Sequence, residues 1–269
     1  MTKEQLEGRW ALILGASSGF GAATSRALAK AGMNIFGVHL DPRSRLPLAN
    51  EVIADIEAAG SKAVFFNTNA ASARKRERVL DKIEATLAHD PAEGIHFMLH
   101  SLAFGTLLPF VAEDPDEETV SESQMEMTLR VMAHTLVYWV QDLVKNDLLP
   151  AGSRVYALSS GGAERMAPNY GAVSAAKAAL ESHMRQLTLE VGSRGIAINC
   201  LRPGVTDTRA LRIIPGHESY IEEALRRNPA GRLTTPEDVA TTLVALADPE
   251  LTWISGAVIP VDGGECIVG

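Results

Sequence analysis

The stretch WALILGASSGFGAATSRALAKAG, residues 10–32, predicts how the fold of this chain begins. Trp10–Leu14 is a short apolar run typical of a buried strand, Gly15–Gly21 (GASSGFG) is a glycine-rich turn, and a helical pattern continues through Ala31. Glycine is needed where a backbone must approach a phosphate, and a helix N-terminus offers free N–H groups and the positive end of its dipole. A tight turn without a ligand could hold the same glycines. This one follows a strand and opens a helix, which is the context that phosphate binding requires.

Length and composition indicate one large, soluble α/β domain. The chain has 269 residues, of which 46% are hydrophobic and 22% charged, and its net charge is −8. No basic patch is present, so nucleic acid is not an expected partner. No apolar run reaches the length of a membrane span, and the polar start MTKEQLEGRW does not resemble a signal peptide. Cys200 and Cys266 lie in apolar contexts, as reduced thiols do, so we expect a cytoplasmic protein.

Apolar runs and helical patterns alternate along the rest of the chain. The predicted strands are Trp10–Leu14, Asn34–Leu40, Lys62–Phe66, Ile95–Leu99, Arg154–Leu158, Ile196–Leu201 and Ala257–Val261. Helices are predicted at 48–59, 72–88, 121–145, 170–191 and 237–247. No repeat or change in composition interrupts this β-α-β-α order. We therefore predict a single NAD(P)-binding domain over 1–269: a doubly wound parallel sheet (Rossmann fold) of about seven strands with helices on both faces.

Polar and glycine-rich turns follow four of the predicted strands. In a doubly wound sheet, ligands bind outside the carboxyl ends of the strands, where the strand order reverses. We therefore expect these turns to gather around a dinucleotide. The turn residues predicted to contact it are Gly15, Ser17, Ser18, Gly19, Phe20, Gly21, Asn69, Ala70, Ser101, Ala103, Pro203, Gly204, Thr206 and Thr208.

The end of the second strand bears on the choice of cofactor. An acidic side chain about 20 residues after the glycine turn favours the 2′-hydroxyl of NAD, whereas an arginine favours the 2′-phosphate of NADP. Asp41 has the spacing of an acidic reader, but DPR is a turn signal that can direct its side chain away. Arg43 and Arg45 are then free to meet a phosphate, although they could equally be solvated surface charge. We expect NADPH, with NADH possible.

The stretch 159–179 holds the expected reactive groups, Ser160, Tyr170 and Lys177. A phenol can supply a hydrogen bond or a proton to a reacting oxygen, and a nearby ammonium lowers the pKa of a tyrosine. Seven positions on a helix place Tyr170 and Lys177 on nearly one face but about 10.5 Å apart along the axis. That distance is too long for a close pair unless Tyr170 lies just before the helix and bends back. A structural tyrosine and a surface lysine would give the same pattern.

Taken together, these motifs resemble the short-chain dehydrogenases/reductases over essentially the whole chain. The matching features are GASSGFG after the first strand, Ser160 seventeen residues before Lys177, the Pro203–Gly204 turn and VDGG at 261–264. Carbonyl-reducing members of that superfamily usually carry a tyrosine four residues before the lysine, where this chain has Val173. By the resemblance, Lys177 also binds the ribose hydroxyls of the cofactor.

The spacing of seven is similar to that of the enoyl-acyl-carrier-protein reductases of type II fatty acid synthesis. GAERMAPNYGAVSAAKAALES at 162–182 and HSLAFG at 100–105 also resemble segments of those enzymes, and the helix segment 129–135 lacks the asparagine of many carbonyl reducers. The resemblance implies hydride transfer to the β-carbon of a trans-2-enoyl thioester, with the enolate oxygen held by Tyr170. An enoyl reducer delivers hydride two carbons from the thioester carbon, so the tyrosine that binds the thioester oxygen has to lie farther from the lysine.

Two departures narrow the resemblance. Many enoyl reductases have a second tyrosine at the position of Ser160 and a first turn poor in glycine, whereas this chain keeps the serine and the glycine motif. It resembles the branch that retained both, for which NADPH is the expected donor. Ser160 could bind the thioester oxygen, order a water molecule or cap the strand end.

Other reactions and further roles stay open at this stage. The chain could instead be a carbonyl reductase or alcohol dehydrogenase, such as a 3-oxoacyl thioester reductase, or a dinucleotide-binding sensor without activity. The loop at about 205–230 is the predicted lid over an acyl chain carried on acyl carrier protein or coenzyme A. No metal site is expected, and His100 and His134 are interpreted as structural. The resemblance also implies a homotetramer that uses the helices at 121–145 and 170–192.

Overall fold

The computed structural model describes residues 5–214 and 216–268. The ends of the predicted domain, residues 1–4 and Gly269, and Pro215 of the predicted lid lie outside the described residues. The strands are β1 (Trp10–Leu14), β2 (Asn34–His39), β3 (Ala63–Asn67), β4 (Ile95–His100), β5 (Arg154–Leu158), β6 (Ala197–Pro203) and β7 (Val258–Val261). They form one parallel sheet in the order β3-β2-β1-β4-β5-β6-β7, which confirms the predicted fold class.

Helices cover both faces of the sheet. They are α1 (Gly19–Lys30), α2 (Leu46–Ala58), α3 (Ala73–Leu87), α4 (Glu122–Leu129), α5 (Thr135–Lys145), α6 (Gly171–Val191), α7 (Arg209–Arg212), α8 (His217–Arg227) and α9 (Pro236–Leu246). Successive strand residues point to opposite faces, so Leu12 and Leu14 of β1 pack toward α3, α5 and α6. Ala11 and Ile13 pack toward α1, α2 and α9. This double burial is why the strands are continuous apolar runs.

The predicted helix at 121–145 is not continuous. Arg130–His134 forms one π-helical turn between α4 and α5. The Thr135 hydroxyl donates to the carbonyl of Arg130, five residues earlier, at 2.6 Å, and so binds a carbonyl that the widened turn exposes. Hydrophobic spacing does not reveal such a turn, because Leu129, Met132 and Leu136 keep helical spacings of three and four residues across it.

The sixth strand is longer than predicted. The sequence RPG was expected to end it at Leu201, but β6 continues to Pro203, which pairs with Val261 of β7. Pro203 is the last residue of β6 that pairs with β7, so it lies where the ladder ends. The missing N–H of proline costs little there. In the described residues, no helix has both the length and the apolar character needed to cross a bilayer.

Candidate active site

The carboxyl ends of the parallel strands lie along one edge of the sheet, and the strand order reverses between β1 and β4. From β1 the chain builds outward to β3 and then returns to place β4 on the other side of β1. The turn after β1 therefore faces the turn after β4. The backbone shows how closely: the amide of Ser101 donates to the carbonyl of Leu14 at 2.9 Å. This is the crevice in which doubly wound sheets bind their ligands.

The glycine turn is built by close backbone approach. Gly15 has φ +93°, and a Cβ there would collide with the carbonyl of Ser101. A Cβ on Gly21 would collide with the carbonyl of Gly15, so no larger residue fits at either position without displacing backbone. Ser18 is the N-cap of α1, and its side chain makes no capping bond. The first N–H groups of this twelve-residue helix therefore remain available to a pyrophosphate, and the turn fits a dinucleotide.

The structure places the other predicted dinucleotide contacts along the same edge. Asn69 and Ala70 follow β3, Ser101 and Ala103 follow β4, and Pro203 and Gly204 end β6. Thr208 reaches back toward the glycine turn: its methyl group would lie 3.9 Å from a Cβ on Gly19. Gly204 is tightly enclosed, because a Cβ there would meet the Thr234 hydroxyl at 2.5 Å and a Glu265 carboxylate oxygen at 2.7 Å. The binding roles of these residues remain predictions.

Tyr170 lies just before α6, at its N-cap position, whereas the predicted helix began at residue 170. Its ring packs on Gly162, where a Cβ would approach the ring carbon Cε1 to 2.5 Å. Burial raises the pKa of Tyr170, a hydrogen bond with the Ser160 side chain opposes that shift, and Tyr220 adds to it. The pKa of Tyr170 is thus raised, and not lowered as a close ammonium would make it. The phenol therefore stays protonated and is a hydrogen-bond donor at neutral pH.

Lys177 is buried, and its ammonium points back to the sheet. Its Nζ donates to the carbonyl of Leu158 at 2.5 Å. Burial lowers the pKa of Lys177 to about 8, and the carboxylate of Glu181 opposes that shift. Glu181 is also buried and accepts a 2.5 Å hydrogen bond from the Ser159 hydroxyl. Burial raises the pKa of the neighbouring Cys200 to about 12, so that residue stays a neutral thiol and lends Lys177 no charge.

Val173 occupies the position four residues before Lys177, and it is a packing residue. It is 5% exposed and forms a small apolar cluster with Met132 and Ala176. Its Cγ2 atom would be only 2.7 Å from a Cβ on Gly105, so the loop after β4 covers this position. A larger side chain at residue 173 would have to displace that loop.

Ser160 combines two roles in the structure. Its Oγ accepts a 3.0 Å hydrogen bond from the backbone N–H of Gly162 and so caps the short turn Gly161–Ala163. The same hydroxyl lies close enough to Tyr170 to oppose the rise in its pKa. The capping interpretation and the proximity to the phenol are therefore compatible.

The predicted lid at 205–230 is mostly helical, with α7 and α8 in it. Thr208 caps α7 by accepting from the N–H of Leu211 at 3.3 Å. Tyr220 of α8 lies near enough to Tyr170 to raise its pKa. Of the apolar residues in the loops beside the site, Leu107 packs on the same cluster as Tyr170, whereas Phe104 and Met166 are exposed.

Two buried titratable groups lie near the site: Glu265, which was not singled out from the sequence, and His100, which was interpreted as structural. Glu265 is buried near the C-terminus and accepts from the N–H of Val205 at 3.0 Å, which ties the end of the chain to the turn after β6. His100 is fully buried, and in the described part of the chain neither ring nitrogen has a hydrogen-bond partner. Burial and, to a smaller extent, the nearby Lys177 lower the pKa of His100 to about 3, so the ring is neutral. Only the VDGG motif indicated that the C-terminal turn mattered.

A family model described as "Enoyl-(Acyl carrier protein) reductase" matches residues 15–265. The chain belongs to this family of short-chain dehydrogenases/reductases. The superfamily assignment makes it an oxidoreductase, and the glycine turn and the strand order are those of a nicotinamide dinucleotide site.

Curated relatives of this oxidoreductase align along nearly its full length. A short-chain dehydrogenase/reductase of Pestalotiopsis microspora is 27% identical, over 97% of this chain and 96% of the relative. Versicolorin reductase 1 of Dothistroma septosporum is 23% identical, over 97% of both chains. These relatives support a reductase, and neither name mentions an enoyl substrate.

Solved structures of two superfamily members are also similar. The reductase LugOII, whose structure is described as catalysing keto-reduction at C1 in lugdunomycin biosynthesis, is 27% identical with a TM-score of 0.83, over 98% of this chain and 99% of its own. An enoyl-[acyl-carrier-protein] reductase (NADH) from Aquifex aeolicus is 25% identical with a TM-score of 0.83, over the same fractions. One fold therefore serves both reactions, and the site has to discriminate between them.

Proposed function

We propose that this protein reduces the 2,3 double bond of a trans-2-enoyl thioester with a nicotinamide cofactor. The observation that carries the proposal is the position of Tyr170. It lies at the N-cap of α6 beside Ser160, and burial raises the pKa of its phenol. The position four residues before Lys177 is filled by Val173 under the loop after β4.

The proposed roles follow from the geometry. The cofactor supplies a hydride, which forms a C–H bond at the β-carbon and sends the π electrons to the thioester oxygen as an enolate. Tyr170 donates a hydrogen bond to that oxygen, and Ser160 orients the phenol. Lys177 holds the ribose of the cofactor and contributes positive charge. Protonation at the α-carbon completes the reduction.

We further propose NADPH as the donor. Arg43 is exposed, and Arg45 is half-buried in the adjacent turn after β2. In the described residues neither forms an ion pair with an acidic side chain, so both are free to meet a 2′-phosphate. The acyl carrier could be acyl carrier protein or coenzyme A, and fatty acid synthesis and a tetramer are part of the proposal.

Ketone reduction is the second candidate, and the named relatives support it better than enoyl reduction. The LugOII structure is described as a keto-reduction catalyst, and versicolorin reductase is not named for a thioester. For that reaction the Tyr170 hydroxyl would have to lie close to Lys177 and donate its proton to the oxygen on the carbon that receives the hydride. The packing of its ring on Gly162 and the presence of Val173 at the position four residues before Lys177 support enoyl reduction instead.

A substrate panel that follows NADPH absorbance at 340 nm separates the candidates. We expect oxidation of NADPH with crotonyl-coenzyme A and none above background with acetoacetyl-coenzyme A or simple ketones. Oxidation with the 3-oxo substrate alone would establish the second candidate and overturn the first. Binding of the cofactor without turnover on either would indicate a sensor instead of an enzyme.

A further inference from the structure

The end of β2 contains a histidine that engages the one acidic side chain there. His39 is the last residue of β2, and its Nδ1 atom lies 2.9 Å from the Oδ2 atom of Asp41. The two side chains are 5% and 12% exposed, so the pair is closed to solvent on most sides. An acid at this distance from the glycine turn is the group that would accept hydrogen bonds from the ribose of NADH.

Asn67 holds the backbone of Asp41 at two points. Its Oδ1 accepts from the N–H of Asp41 at 3.0 Å, and its Nδ2 donates to the carbonyl of Asp41 at 2.9 Å. Asn67 can do this because it ends β3 and pairs in register with His39. The backbone and the side chain of Asp41 are therefore each fixed by a separate neighbour.

The histidine is itself held in place. Its carbonyl accepts from the N–H of Thr68 at 2.7 Å, and its ring lies 6.0 Å from that of Phe65, centroid to centroid. Phe65 in turn covers Gly37, where a Cβ would meet the aromatic ring at 2.6 Å. The imidazole therefore has little room to move away from Asp41.

Two cationic side chains lie just beyond this pair. Arg43 is exposed and Arg45 half-buried, and neither has an acidic partner among the described residues. At this edge of the sheet the Asp41 carboxylate is thus engaged, whereas the guanidinium groups of Arg43 and Arg45 are available to a ligand. A guanidinium recognises a phosphate through paired hydrogen bonds.

We propose that His39 is a specificity-determining residue that withholds Asp41 from the dinucleotide and thereby favours NADPH over NADH. The inference rests on the cofactor part of the proposed function, since it explains how a chain with an acid at this position can prefer the phosphorylated cofactor. It does not depend on which substrate is reduced. When His39 no longer donates to it, the Asp41 carboxylate turns outward, accepts from the ribose hydroxyls of NADH and repels the 2′-phosphate of NADPH.

Fluorescence titration of the free protein with NADPH and with NADH tests this without any turnover. The wild type is expected to bind NADPH at least tenfold more tightly than NADH. His39→Leu, which cannot donate to Asp41, is expected to lower that ratio at least tenfold. His39→Asn, whose amide can replace the Nδ1 donor, should restore it to within about threefold of the wild type, because an amide donor gives a hydrogen bond of the same kind.

A second variant keeps the test decisive if His39→Leu does not fold. Asp41→Asn in the wild-type background should leave NADH affinity within about twofold, because a carboxylate that is already engaged by His39 is not read by the ribose. A large loss of NADH affinity in Asp41→Asn would overturn the inference. So would equal losses for both cofactors in His39→Leu, a wild type that prefers NADH, or binding of neither cofactor.

The enoyl proposal and the inference about His39 can be refuted independently, because the substrate panel tests the first and the cofactor titrations test the second. A wild type that prefers NADPH and responds to His39→Leu but reduces ketones would refute the enoyl proposal and leave this inference in place. A wild type that reduces crotonyl-coenzyme A with a ratio unchanged by His39→Leu would do the reverse.

Discussion

The glycine turn and the Tyr170 loop lie on the same edge of the sheet, but they are built in different ways. The glycine turn is fixed by contacts between neighbours in the chain and one adjacent strand end: Gly21 packs on the carbonyl of Gly15, and Gly15 on that of Ser101. Tyr170 depends on Ser160 and Gly162, ten and eight residues before it, and on Tyr220 of the lid fifty residues later.

This difference bears on how freely each end of the site can change. Backbone contacts leave little freedom to change, because only glycine fits. A tyrosine that lies just before a helix and packs on another loop can be moved by a few substitutions, and in the proposed mechanism its position decides which carbon is reduced. The two regions should therefore respond differently to mutation.

The largest effect is expected at the glycine turn. In Gly21→Ala the new Cβ would meet the carbonyl of Gly15, which is backbone and cannot move aside, so we expect a loss of about 3 kcal/mol in the free energy of unfolding. Dinucleotide binding should fall at least 100-fold. Urea unfolding and fluorescence titration measure the two quantities.

Gly192→Ala is the matched control. A Cβ on Gly192 would have no neighbour within 4 Å among the described residues, and the backbone there has a helical φ of −58°. The replacement should therefore change stability by less than about 0.5 kcal/mol. If Gly21→Ala behaves like this control, the turn is less tightly built than the structure indicates.

The next effect concerns the phenol. Tyr170→Phe should lower kcat about 100-fold, the lower end for loss of a proton-transfer or donor group, with less than a twofold change in NADPH affinity. Tyr156→Phe is a control for the loss of a buried hydroxyl, because Tyr156 bonds the carbonyl of Leu246 at 3.0 Å far from the reactive groups. It should cost about 1 kcal/mol of stability and no activity. Equal kinetic losses in both variants would remove Tyr170 from the chemistry.

The pH dependence of kcat/KM should report the ionisation of Lys177. Its pKa of about 8 means that the ammonium is present below that pH and is lost above it. We therefore expect kcat/KM to fall about tenfold per pH unit above pH 8, since this parameter reports the groups of the free enzyme. Lys177→Arg, which stays charged, should abolish that limb of the profile, and Lys177→Ala should weaken NADPH binding. An unchanged limb in Lys177→Arg, or unchanged affinity in Lys177→Ala, would contradict the ribose role.

The smallest kinetic effect is expected at Val173. Val173→Ala should lower stability by about 2 kcal/mol, because a buried side chain is shortened, but change kcat/KM less than twofold. Thermal unfolding and steady-state kinetics measure this. A large kinetic loss without a stability loss would mean that position 173 takes part in the reaction.

The fold could be predicted from the sequence because its signals are local. Apolar runs such as Arg154–Leu158 define strands by themselves, and Gly15–Gly21 defines the turn that the sheet is wound around. The π-helical turn at Arg130–His134 could not be predicted, because it changes the register of a helix without changing its apolar pattern. The extension of β6 to Pro203 needed knowledge of which strand lies beside it.

The site could be predicted only in part. Spacing placed Tyr170 and Lys177 on nearly one face of a helix, but it left open whether Tyr170 precedes that helix, as it does. It could not show that burial raises the pKa of Tyr170, or that His39 engages Asp41, because both depend on residues from other elements. Pairings across strands are set by the assembled sheet and leave no periodic signal in the sequence.

The position of the transferred hydride tests the central claim most directly. NADPH deuterated at C4 of the nicotinamide can be incubated with the protein and crotonyl-coenzyme A, and the product examined by mass spectrometry and NMR. The account predicts butyryl-coenzyme A with deuterium at C3. If no butyryl product forms and deuterium is instead found on the carbinol carbon of 3-hydroxybutyryl-coenzyme A made from acetoacetyl-coenzyme A, the protein is a ketone reductase and the assignment of Tyr170 is wrong.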